Sequence, residues 1–393
     1  NFIRTWIKKE CYQQFMEIEE KGKRLIMDGS ELIVESLARS GADVFIGYPI
    51  TPANLLYSYS QKRFPSFFAA PDEISTLQWM CGFSTTGKFP VTATSFPGFA
   101  LMLESVNMAY MMELPMLIIL VQRLGPATGT ATCGAQGDLT LLNGTISGGF
   151  SLPVISVSSM NDCWELSNKA MKMAIDIRTP VVLLTSKEEI MTLASFSISH
   201  LPEINFIERN FYSGNETFVP YKTNESLVPE FLPVGNSKHQ VRFTASTHDP
   251  KGIIQNTSKE AIENTKRLEY KHRKNLEHHL YYEYDSQAGA DTLLISYGIT
   301  ASASREAVKL LRKQGEKVSL LIPKTLLPVS PKYFEIIEKY KRVMIAEENL
   351  TGQYKNILFG EYGNKNVIGV NEIAEMITPE KIIDAVVSKK VVY

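Results

Sequence analysis

From about Met27 onward, short apolar runs alternate with longer stretches of helical periodicity. The runs are rich in β-branched and aromatic residues and show no polar alternation, which is typical of strands buried on both faces of a parallel sheet. The predicted early strands are Asp43–Gly47, Phe67–Ala70, Val91–Thr94, Met116–Gln122, Pro153–Val157 and Pro180–Thr185. Helices such as Glu73–Lys88 and Asn161–Ile177 separate them, and an earlier helix is predicted to begin with Ser30 as its cap and to end at Gly41. The pattern predicts an α/β fold.

The alternation is interrupted once and then resumes. Between about residues 196 and 285 the chain is polar and rich in Asn, Ser, Glu and Pro, which predicts an irregular connection ending in a charged helix over Lys259–His279. His278 and His279 are predicted to be solvated on that helix. The predicted order is an N-terminal peripheral segment at residues 1–25, an α/β domain at 26–195, the connection at 196–285 and a second α/β domain at 286–393.

Composition narrows the possible partners. The 393 residues carry a net charge of −1, so no nucleic-acid or anionic-membrane partner is indicated. The longest apolar run, Leu114–Val121, is too short to span a bilayer. The cysteines form no CxxC pair, so we expect no zinc site and no iron–sulfur cluster on this chain, and free thiols fit a reducing cytoplasm. They are Cys11, Cys81, Cys133 and Cys163.

Candidate chemistry follows the predicted strands, where open α/β sheets place their ligands. Thr51 stands between Pro49 and Pro52, which stiffen the loop. Glu73 opens a helix, and Arg123 precedes a glycine-rich loop. Taken singly, each has a structural explanation: Thr51 or Asn54 caps a helix, Glu73 complements a helix dipole, and Arg123 forms an ion pair. Because neither GxGxxG nor GxxxxGK[ST] occurs, a dinucleotide or nucleoside triphosphate site is not supported.

Taken together and in order, these segments carry a resemblance. The motifs are Tyr48-Pro-Ile-Thr-Pro52, Asp72-Glu73-Ile74, Ala93-Thr-Ser-Phe-Pro-Gly-Phe-Ala-Leu-Met102, Glu113-Leu-Pro115, Gln122-Arg123-x-Gly-Pro-x-Thr-Gly129, Gln136-Gly-Asp-Leu139, Ala290–Gly298 and Val343–Gln353. The chain from roughly Met27 to Val387 resembles the alpha subunit of 2-oxoacid:ferredoxin oxidoreductases. Leu124 and Ala127 depart from residues often seen in that family, which leaves the substrate open.

The resemblance implies a fold and roles for particular residues. The first domain would be the pyrimidine-binding domain of a thiamine diphosphate enzyme, followed by a domain like the C-terminal domain of transketolase. Glu73 would hydrogen-bond N1′ of the aminopyrimidine, and Thr51 and Arg123 would bind the substrate's carboxylate or keto group. Three further residues would line the cofactor site: Pro49, Ile50 and Phe99. Three apolar neighbours would shield Glu73 from water: Ile74, Leu77 and Trp79.

The resemblance also implies partners. No GDG…N motif for diphosphate and magnesium is present, so a beta subunit would bring Mg²⁺, the diphosphate site and a [4Fe–4S] cluster. Gamma and ferredoxin-like delta subunits would complete a cytoplasmic complex that converts a 2-oxoacid and coenzyme A to an acyl-CoA and passes electrons to ferredoxin. Pyruvate, 2-oxoglutarate and branched-chain or aromatic 2-oxoacids all remain open.

Three alternatives stay open from the sequence. The chain could be the pyrimidine-domain subunit of a lipoamide-linked 2-oxoacid dehydrogenase or of a transketolase-like enzyme. The loops at Tyr48–Pro52 and Arg123–Gly129 argue against both. It could also be a non-catalytic scaffold with the same fold, against which the presence of Thr51, Glu73 and Arg123 argues. Whether His248, in a segment of the connection that also resembles the family, reaches the active site is undecided.

Overall fold

The computed structural model describes residues 24–197, 201–363 and 366–388. Fourteen strands lie in these ranges and are numbered here in chain order. They are β1 (Arg24–Asp28), β2 (Val44–Gly47), β3 (Ser66–Ala69), β4 (Pro90–Thr94), β5 (Met116–Gln122), β6 (Val154–Ser156), β7 (Pro180–Ser186), β8 (Leu193–Ser197), β9 (Tyr282–Asp285), β10 (Thr292–Ser296), β11 (Val318–Pro323), β12 (Thr325–Leu327), β13 (Arg342–Glu347) and β14 (Val367–Asn371).

Helices separate most of the strands, as expected when parallel strands must be joined by crossovers. Within the described ranges they are α1 (Gly29–Ser40), α2 (Asn54–Arg63), α3 (Glu73–Thr85), α4 (Phe96–Met111), α5 (Leu139–Asn143), α6 (Met160–Asp176), α7 (Lys187–Met191), α8 (Lys259–Asn275), α9 (Thr300–Lys313), α10 (Pro331–Ile337), α11 (Gln353–Phe359) and α12 (Pro379–Ser388).

The first sheet has seven strands in the order β12-β6-β7-β5-β4-β2-β3. Neighbours from β6 to β3 run parallel, and β12 pairs antiparallel with β6. The side chains of β5 show why the apolar runs lack alternation. Met116, Ile118 and Leu120 pack into the core on one face, while the residues between them pack into the core on the other. Both faces are therefore buried, as predicted.

The second sheet has the order β14-β13-β10-β11-β9, with β9 antiparallel and the other neighbours parallel. Its strand β10 contributes Leu293 and Ile295 to the same core cluster that contains Ile118 of the first sheet. The two sheets therefore share one apolar core. A small antiparallel pair, β1 with β8, lies apart from both.

The sequence did not predict β1, β8, β9 or β12. All four are short and pair antiparallel. Strands β8 and β9 lie at the two ends of the connection predicted to be irregular, and β12 closely follows the end of β11. β9 lies inside the predicted connection but belongs to the second sheet, and β12 follows β11 in the chain but belongs to the first sheet. The division at residues 195 and 285 therefore stays a prediction.

Local signals around two helices were partly misassigned. Helix α1 ends at Gly41 with φ 95°, as predicted, but its cap is Asp28, which forms a capping box with Glu31, and Ser30 lies inside the helix. The structural alternative, in which Thr51 or Asn54 caps α2, is wrong. Ala53 is the N-cap and makes no side-chain bond. The Thr51 side chain therefore caps no backbone N–H of the helix.

The connection is fixed to the first sheet by a buried ion cluster at the amino ends of its strands. The Glu113 carboxylate accepts bonds from both Nη atoms of Arg267 and from Lys271 Nζ at 2.7 Å. Lys271 also donates to the carbonyl of Arg178 at 3.0 Å, and Arg178 donates to the Glu113 carbonyl at 3.3 Å. Burial opposes ionisation of Glu113, but the charges of Lys271 and Arg267 hold its pKa well below the usual range.

The predicted exposure of two histidines is half right. His278 is exposed. His279 is buried, with its Nε2 atom 3.4 Å from Asp176 Oδ2. Helix α8 ends at Asn275 and the chain tightens into a 3₁₀ turn over Leu276–His279, which changes the face on which His279 lies. Most of the predicted N-terminal peripheral segment lies outside the described residues.

Candidate active site

Four neighbouring parallel strands, β5, β4, β2 and β3, end along one edge of the first sheet. Three of the residues that follow them are candidates singled out in the sequence: Arg123 after β5, Thr51 in the loop after β2 and Glu73 after β3. Ser95, which follows β4, lies in one of the quoted motifs, but its sequence position alone assigns it no role. Because the carboxyl ends of parallel strands meet at one edge, the topology gathers these residues there. This edge is the candidate active site.

Thr51 and Arg123 are in direct contact. Arg123 Nη1 donates to the Thr51 carbonyl oxygen at 2.5 Å, and the Thr51 hydroxyl accepts a bond from the Asn54 amide at 3.2 Å. Arg123 is buried, and its Nε atom has no hydrogen-bond partner among the described residues. The alternative of a structural ion pair for Arg123 receives no support, because the part of the chain that the structure describes offers it no carboxylate within salt-bridge distance.

Glu73 is the first residue of α3, whose N-cap is Asp72. Its side chain is buried and forms no hydrogen bond or ion pair with any described residue. It lies against Gly98 in the first turn of α4. A Cβ atom at Gly98 would stand 2.6 Å from Glu73 Oε1 and 2.2 Å from Thr94 Oγ1. A side chain at position 98 would force Glu73 and Thr94 to move, so glycine lets α4 and β4 form a close wall beside an unpaired carboxylate.

The predicted apolar shield around Glu73 is largely wrong. Leu77 is buried, but Ile74 is 45% exposed and Trp79 is 41% exposed. The reason is helical geometry, since residues one and six positions after Glu73 cannot share its face. Large exposed side chains continue along the elements that carry the site, namely Tyr48, Phe68 and Leu101. We call Tyr48, Phe68, Ile74, Trp79 and Leu101 the exposed apolar set.

The other predicted cofactor residues lie nearby in different environments. Pro49 is exposed in the loop after β2, and Ile50 is half-buried against the core. Phe99 is fully buried in the core beneath the loops. Pro49 and Ile50 therefore remain accessible to a bound molecule, whereas the Phe99 ring supports the site from below. Their roles stay predictions.

Asp138 is a site residue without a role predicted from the sequence, although it lies in the quoted motif after Arg123. Its carboxyl group is buried, and Oδ2 has no partner among the described residues. Burial raises the pKa of Asp138 to about 7, an effect that the nearby charge of Arg123 partly offsets. Ser95 Oγ at the end of β4 is also buried and unpaired. The unpaired buried polar atoms at Ser95, Arg123 and Asp138 are available to a polar ligand at this edge.

His248 lies away from this edge. Its ring is buried against Tyr221, with ring centroids 4.0 Å apart, and its Nδ1 atom is 2.7 Å from the Ser246 carbonyl oxygen. Asn264 of α8, which bonds to Arg267, also donates to the His248 carbonyl. His248 is therefore part of the connection beside the buried ion cluster, at the opposite edge of the sheet.

The structure gives two further facts about metals and membranes. Among residues 24–197, 201–363 and 366–388, no group of three or more His, Cys, Asp or Glu side chains is arranged to hold a metal ion. In the same ranges, no helix combines the length and apolarity needed to cross a bilayer.

Comparison with known proteins decides the family. Residues 35–267 match the family model described as pyruvate flavodoxin/ferredoxin oxidoreductase, thiamine diphosphate-binding, and residues 290–376 match core domain II of pyruvate:ferredoxin oxidoreductase. The chain belongs to the 2-oxoacid:ferredoxin oxidoreductase family. This confirms the predicted resemblance and favours it over the lipoamide-linked, transketolase-like and scaffold alternatives.

Individual relatives agree. The 2-oxoglutarate synthase subunit KorA of Methanocaldococcus jannaschii is 28% identical over 92% of this chain and 98% of its own length. A 2-oxoglutarate:ferredoxin oxidoreductase from Magnetococcus marinus, solved with 2-oxoglutarate, coenzyme A and succinyl-CoA bound, superposes with a TM-score of 0.86 at 27% identity. The match covers 93% of this chain but only 65% of the Magnetococcus chain.

The predicted fold class is also confirmed. A split-gene transketolase chain covers 92% of this chain with a TM-score of 0.53 and 15% identity, a similarity of fold alone. The α/β architecture, with a thiamine diphosphate-type domain followed by a second parallel-sheet unit, is therefore the one expected. This family membership also makes the chain part of an oxidoreductase whose characterised relatives are subunits of larger enzymes.

Proposed function

We propose that this chain supplies the aminopyrimidine half of a thiamine diphosphate site in a 2-oxoacid:ferredoxin oxidoreductase. The overall reaction converts a 2-oxoacid anion and coenzyme A to an acyl-CoA, carbon dioxide, one proton and two electrons, and ferredoxin takes the electrons. The observation that carries the proposal is the Glu73 carboxylate, which is buried, unpaired among the described residues and enclosed by Gly98 and Thr94 at the carboxyl edge of a parallel sheet.

Glu73 fits the cofactor that the family implies. When bound, thiamine diphosphate supplies a carbon nucleophile and an electron sink, and the protein's task is to place and tune it. The Glu73 carboxyl group would hold the aminopyrimidine at N1′ and favour its imino form. A hydrogen bond at a buried position is stronger than one in water, and Glu73 has no competing partner among the described residues. Ile50 and Pro49 would pack against the ring.

Arg123 and Thr51 would bind the substrate. Nη1 of the Arg123 guanidinium donates to the Thr51 carbonyl oxygen, which fixes the orientation of the guanidinium. The Nε atom, on another edge of the group, has no partner in the described ranges. A carboxylate can accept two parallel bonds from such an edge. The Thr51 hydroxyl, held by Asn54, would orient the keto group. Both groups are fixed before substrate arrives, which favours reactive alignment.

A partner subunit would complete the site. The exposed apolar set lies on the elements that carry Thr51, Glu73 and Gly98, and a second chain covering it would seal the cofactor from water. The cysteines are scattered in sequence, and Cys81 and Cys163 are buried, so we assign the [4Fe–4S] cluster to the beta subunit together with Mg²⁺ and the diphosphate site. Gamma and delta subunits and a cytoplasmic location remain part of the proposal.

Two 2-oxoacids are the leading candidates for the substrate. The relative from Methanocaldococcus and the Magnetococcus enzyme are both named for 2-oxoglutarate, so we propose a 2-oxoglutarate-type reaction as the leading candidate. The matched family models are named for pyruvate, which makes pyruvate the second candidate. Both acids present the same 2-oxo carboxylate to Arg123 and Thr51, so these two residues alone do not choose between them.

Co-purification with and without the beta subunit tests the function. With the partner, we expect reduction of a viologen dye that requires both coenzyme A and one of the two acids, with the matching acyl-CoA as product. Without it, we expect no such reduction and weak binding of thiamine diphosphate by calorimetry. An intact complex that is inactive with every 2-oxoacid would contradict the function. Tight, Mg²⁺-dependent binding of the cofactor to the lone chain would contradict the division between subunits.

A further inference from the structure

The loop that follows Arg123 is closed on itself. Leu124 donates its backbone N–H to the Cys133 carbonyl at 2.8 Å, and Thr130 donates to the Leu124 carbonyl at 2.9 Å. The tip between these contacts, residues 125–130, is exposed. The chain therefore leaves the sheet at Arg123, forms an exposed loop and returns to its starting point. Whatever fixes the returning segment also fixes the base from which the Arg123 side chain extends.

Gln136, in the returning segment, is fully buried. It is held by the second α/β unit, which is the part of the chain that carries the second sheet. Its backbone N–H donates to the Glu348 carbonyl at 2.8 Å, and its side-chain oxygen accepts from the Glu348 N–H at 2.8 Å. Its side-chain nitrogen donates to the Tyr297 carbonyl at 2.8 Å, and its own carbonyl accepts from Asn349 at 3.1 Å. Tyr297, Glu348 and Asn349 directly follow strands β10 and β13. We call these four bonds the Gln136 clamp.

Two neighbours fit the Gln136 clamp closely. Gly298 has φ 53°, and a Cβ atom there would lie 3.0 Å from the Gln136 amide nitrogen, so glycine permits the approach. The side chain of Gln353, in α11, bonds to the residues that follow Gln136. It donates to the Gly137 carbonyl at 2.7 Å and accepts from the Thr140 N–H at 2.8 Å. The second unit thus binds this segment from three elements: the ends of β10 and β13 and the start of α11.

The segment is also joined to the strand that carries Arg123. The Asp138 N–H points to the Gln122 side-chain oxygen at 3.4 Å. Separately, Gly134 donates its N–H to Glu188 of α7 at 3.0 Å, which holds the segment to another element of the first domain. Gln122 immediately precedes Arg123 and Leu124 immediately follows it. The clamped segment therefore contacts the chain on both sides of Arg123, through Asp138 and through Cys133.

We propose that Gln136 is a positioning residue through which the second α/β unit holds the Arg123 guanidinium in its binding geometry. The inference rests on the proposed substrate-binding role of Arg123. It gives the second unit a part in substrate recognition, although none of its residues lies among the proposed substrate ligands. A side chain that binds a small acid must be held to within a fraction of an ångström, and hydrogen bonds from outside the site are the usual means.

Two substitutions separate the hydrogen bonds from the packing. Gln136→Met keeps the length of the side chain but removes its two side-chain bonds, and Gln136→Ala also removes its volume. Gln287→Ala is the matched control, because Gln287 bonds the Val318 N–H within the second unit, away from the Arg123 loop. Each variant is compared with wild type in the assembled complex by steady-state kinetics with the 2-oxoacid and by hydrogen exchange of the backbone amides in residues 124–138.

We expect Gln136→Met and Gln136→Ala to raise KM for the 2-oxoacid about tenfold or more, with a smaller change in kcat, and to accelerate exchange at Leu124, Thr130 and Cys133. Gln287→Ala should alter neither quantity. Unchanged exchange in residues 124–138, or an unchanged KM in Gln136→Met, would overturn the inference. A wild-type complex that is inactive with every 2-oxoacid would instead refute the proposed function, and the exchange result would still decide whether Gln136 fixes the loop.

Discussion

Both edges of the first sheet bury charged groups, but these groups are paired at the amino edge and unpaired at the carboxyl edge. At the amino edge, the carboxylate of Glu113 is paired with Arg267 and Lys271, and each partner has further hydrogen bonds. At the carboxyl edge, Glu73 is unpaired, Arg123 has a free Nε atom and Asp138 has a free oxygen within the described residues. Buried charges that are fully paired hold the connection in place, whereas unpaired ones are available to a ligand.

Removal of the unpaired carboxylate should have the largest effect on activity. In the assembled complex, Glu73→Gln and Glu73→Ala should lower 2-oxoacid turnover on the order of a thousandfold or more, because one contact sets the form of the aminopyrimidine. The thermal midpoint should change little, since the carboxylate has no protein partner to lose. Glu380→Gln, at another first-turn glutamate, is the control. Near wild-type turnover in Glu73→Ala would refute the assignment.

Removing the paired carboxylate should have the opposite profile. Glu113→Gln leaves Arg267 and Lys271 buried without their counter-charge, so we expect a loss of about 3–5 kcal/mol of stability and a marked fall in the thermal midpoint. Glu263→Gln, on the same helix as both cations but exposed, should change stability by less than about 1 kcal/mol. Denaturation curves of the two variants and of wild type measure this difference in the free energy of unfolding. An equally small effect at both positions would show that the amino-edge cluster does not stabilise the connection.

Substitutions of Arg123 and Thr51, the proposed substrate ligands, should give intermediate effects on substrate use. Arg123→Lys keeps the charge but loses the planar edge, and we expect kcat/KM to fall roughly 10–100-fold, the range of a charge-assisted hydrogen bond. Thr51→Ala should cost less, about threefold to tenfold, because the contact to Arg123 uses the Thr51 backbone carbonyl and survives the change. Thr51→Ser should restore activity. If kcat/KM is unchanged in Arg123→Lys for every acid tested, Arg123 does not bind the carboxylate.

The last prediction concerns the pH dependence of stability. The folded-state pKa of Asp138 is raised to about 7, so the folded protein binds this proton more tightly than the unfolded chain. Stability is therefore lost as pH rises from near 4 through 7. Asp138→Asn removes the ionisation, and its thermal midpoint relative to wild type should rise between pH 5 and pH 8 and level off above that. A difference that is the same at both pH values would show that Asp138 carries no buried-charge penalty.

Sequence patterns predicted the parallel elements well because their signals are local. The run at β5 is apolar on both faces, and Gly41 ends α1 with the backbone conformation that glycine tolerates. The gathering of Thr51, Glu73 and Arg123 at one edge also followed, since topology decides it. The direct contact between Arg123 and the Thr51 carbonyl did not, because sequence does not reveal which backbone group a side chain reaches.

The errors share a physical cause: burial is set by distant residues. Trp79 and Ile74 look like core residues, yet both are exposed among the described residues. His279 looks solvated, yet it packs near Asp176 of α6. Gln136 is an ordinary polar residue in a loop until the second unit folds around it. Asp28 competes with Ser30 as a helix cap, and only the backbone geometry decides between them.

Strand β12 has a consequence for any attempt to divide this protein. Residues 325–327, encoded after most of the second sheet, close the β6 edge of the first sheet. A gene fragment that stopped before them would expose the backbone of β6 as an unpaired edge, which invites association with other chains. Swapping the C-terminal unit between relatives, or expressing the two halves separately, would cut across one sheet rather than between two domains. Junctions for chimeras therefore need to keep β12 with the sheet that it completes.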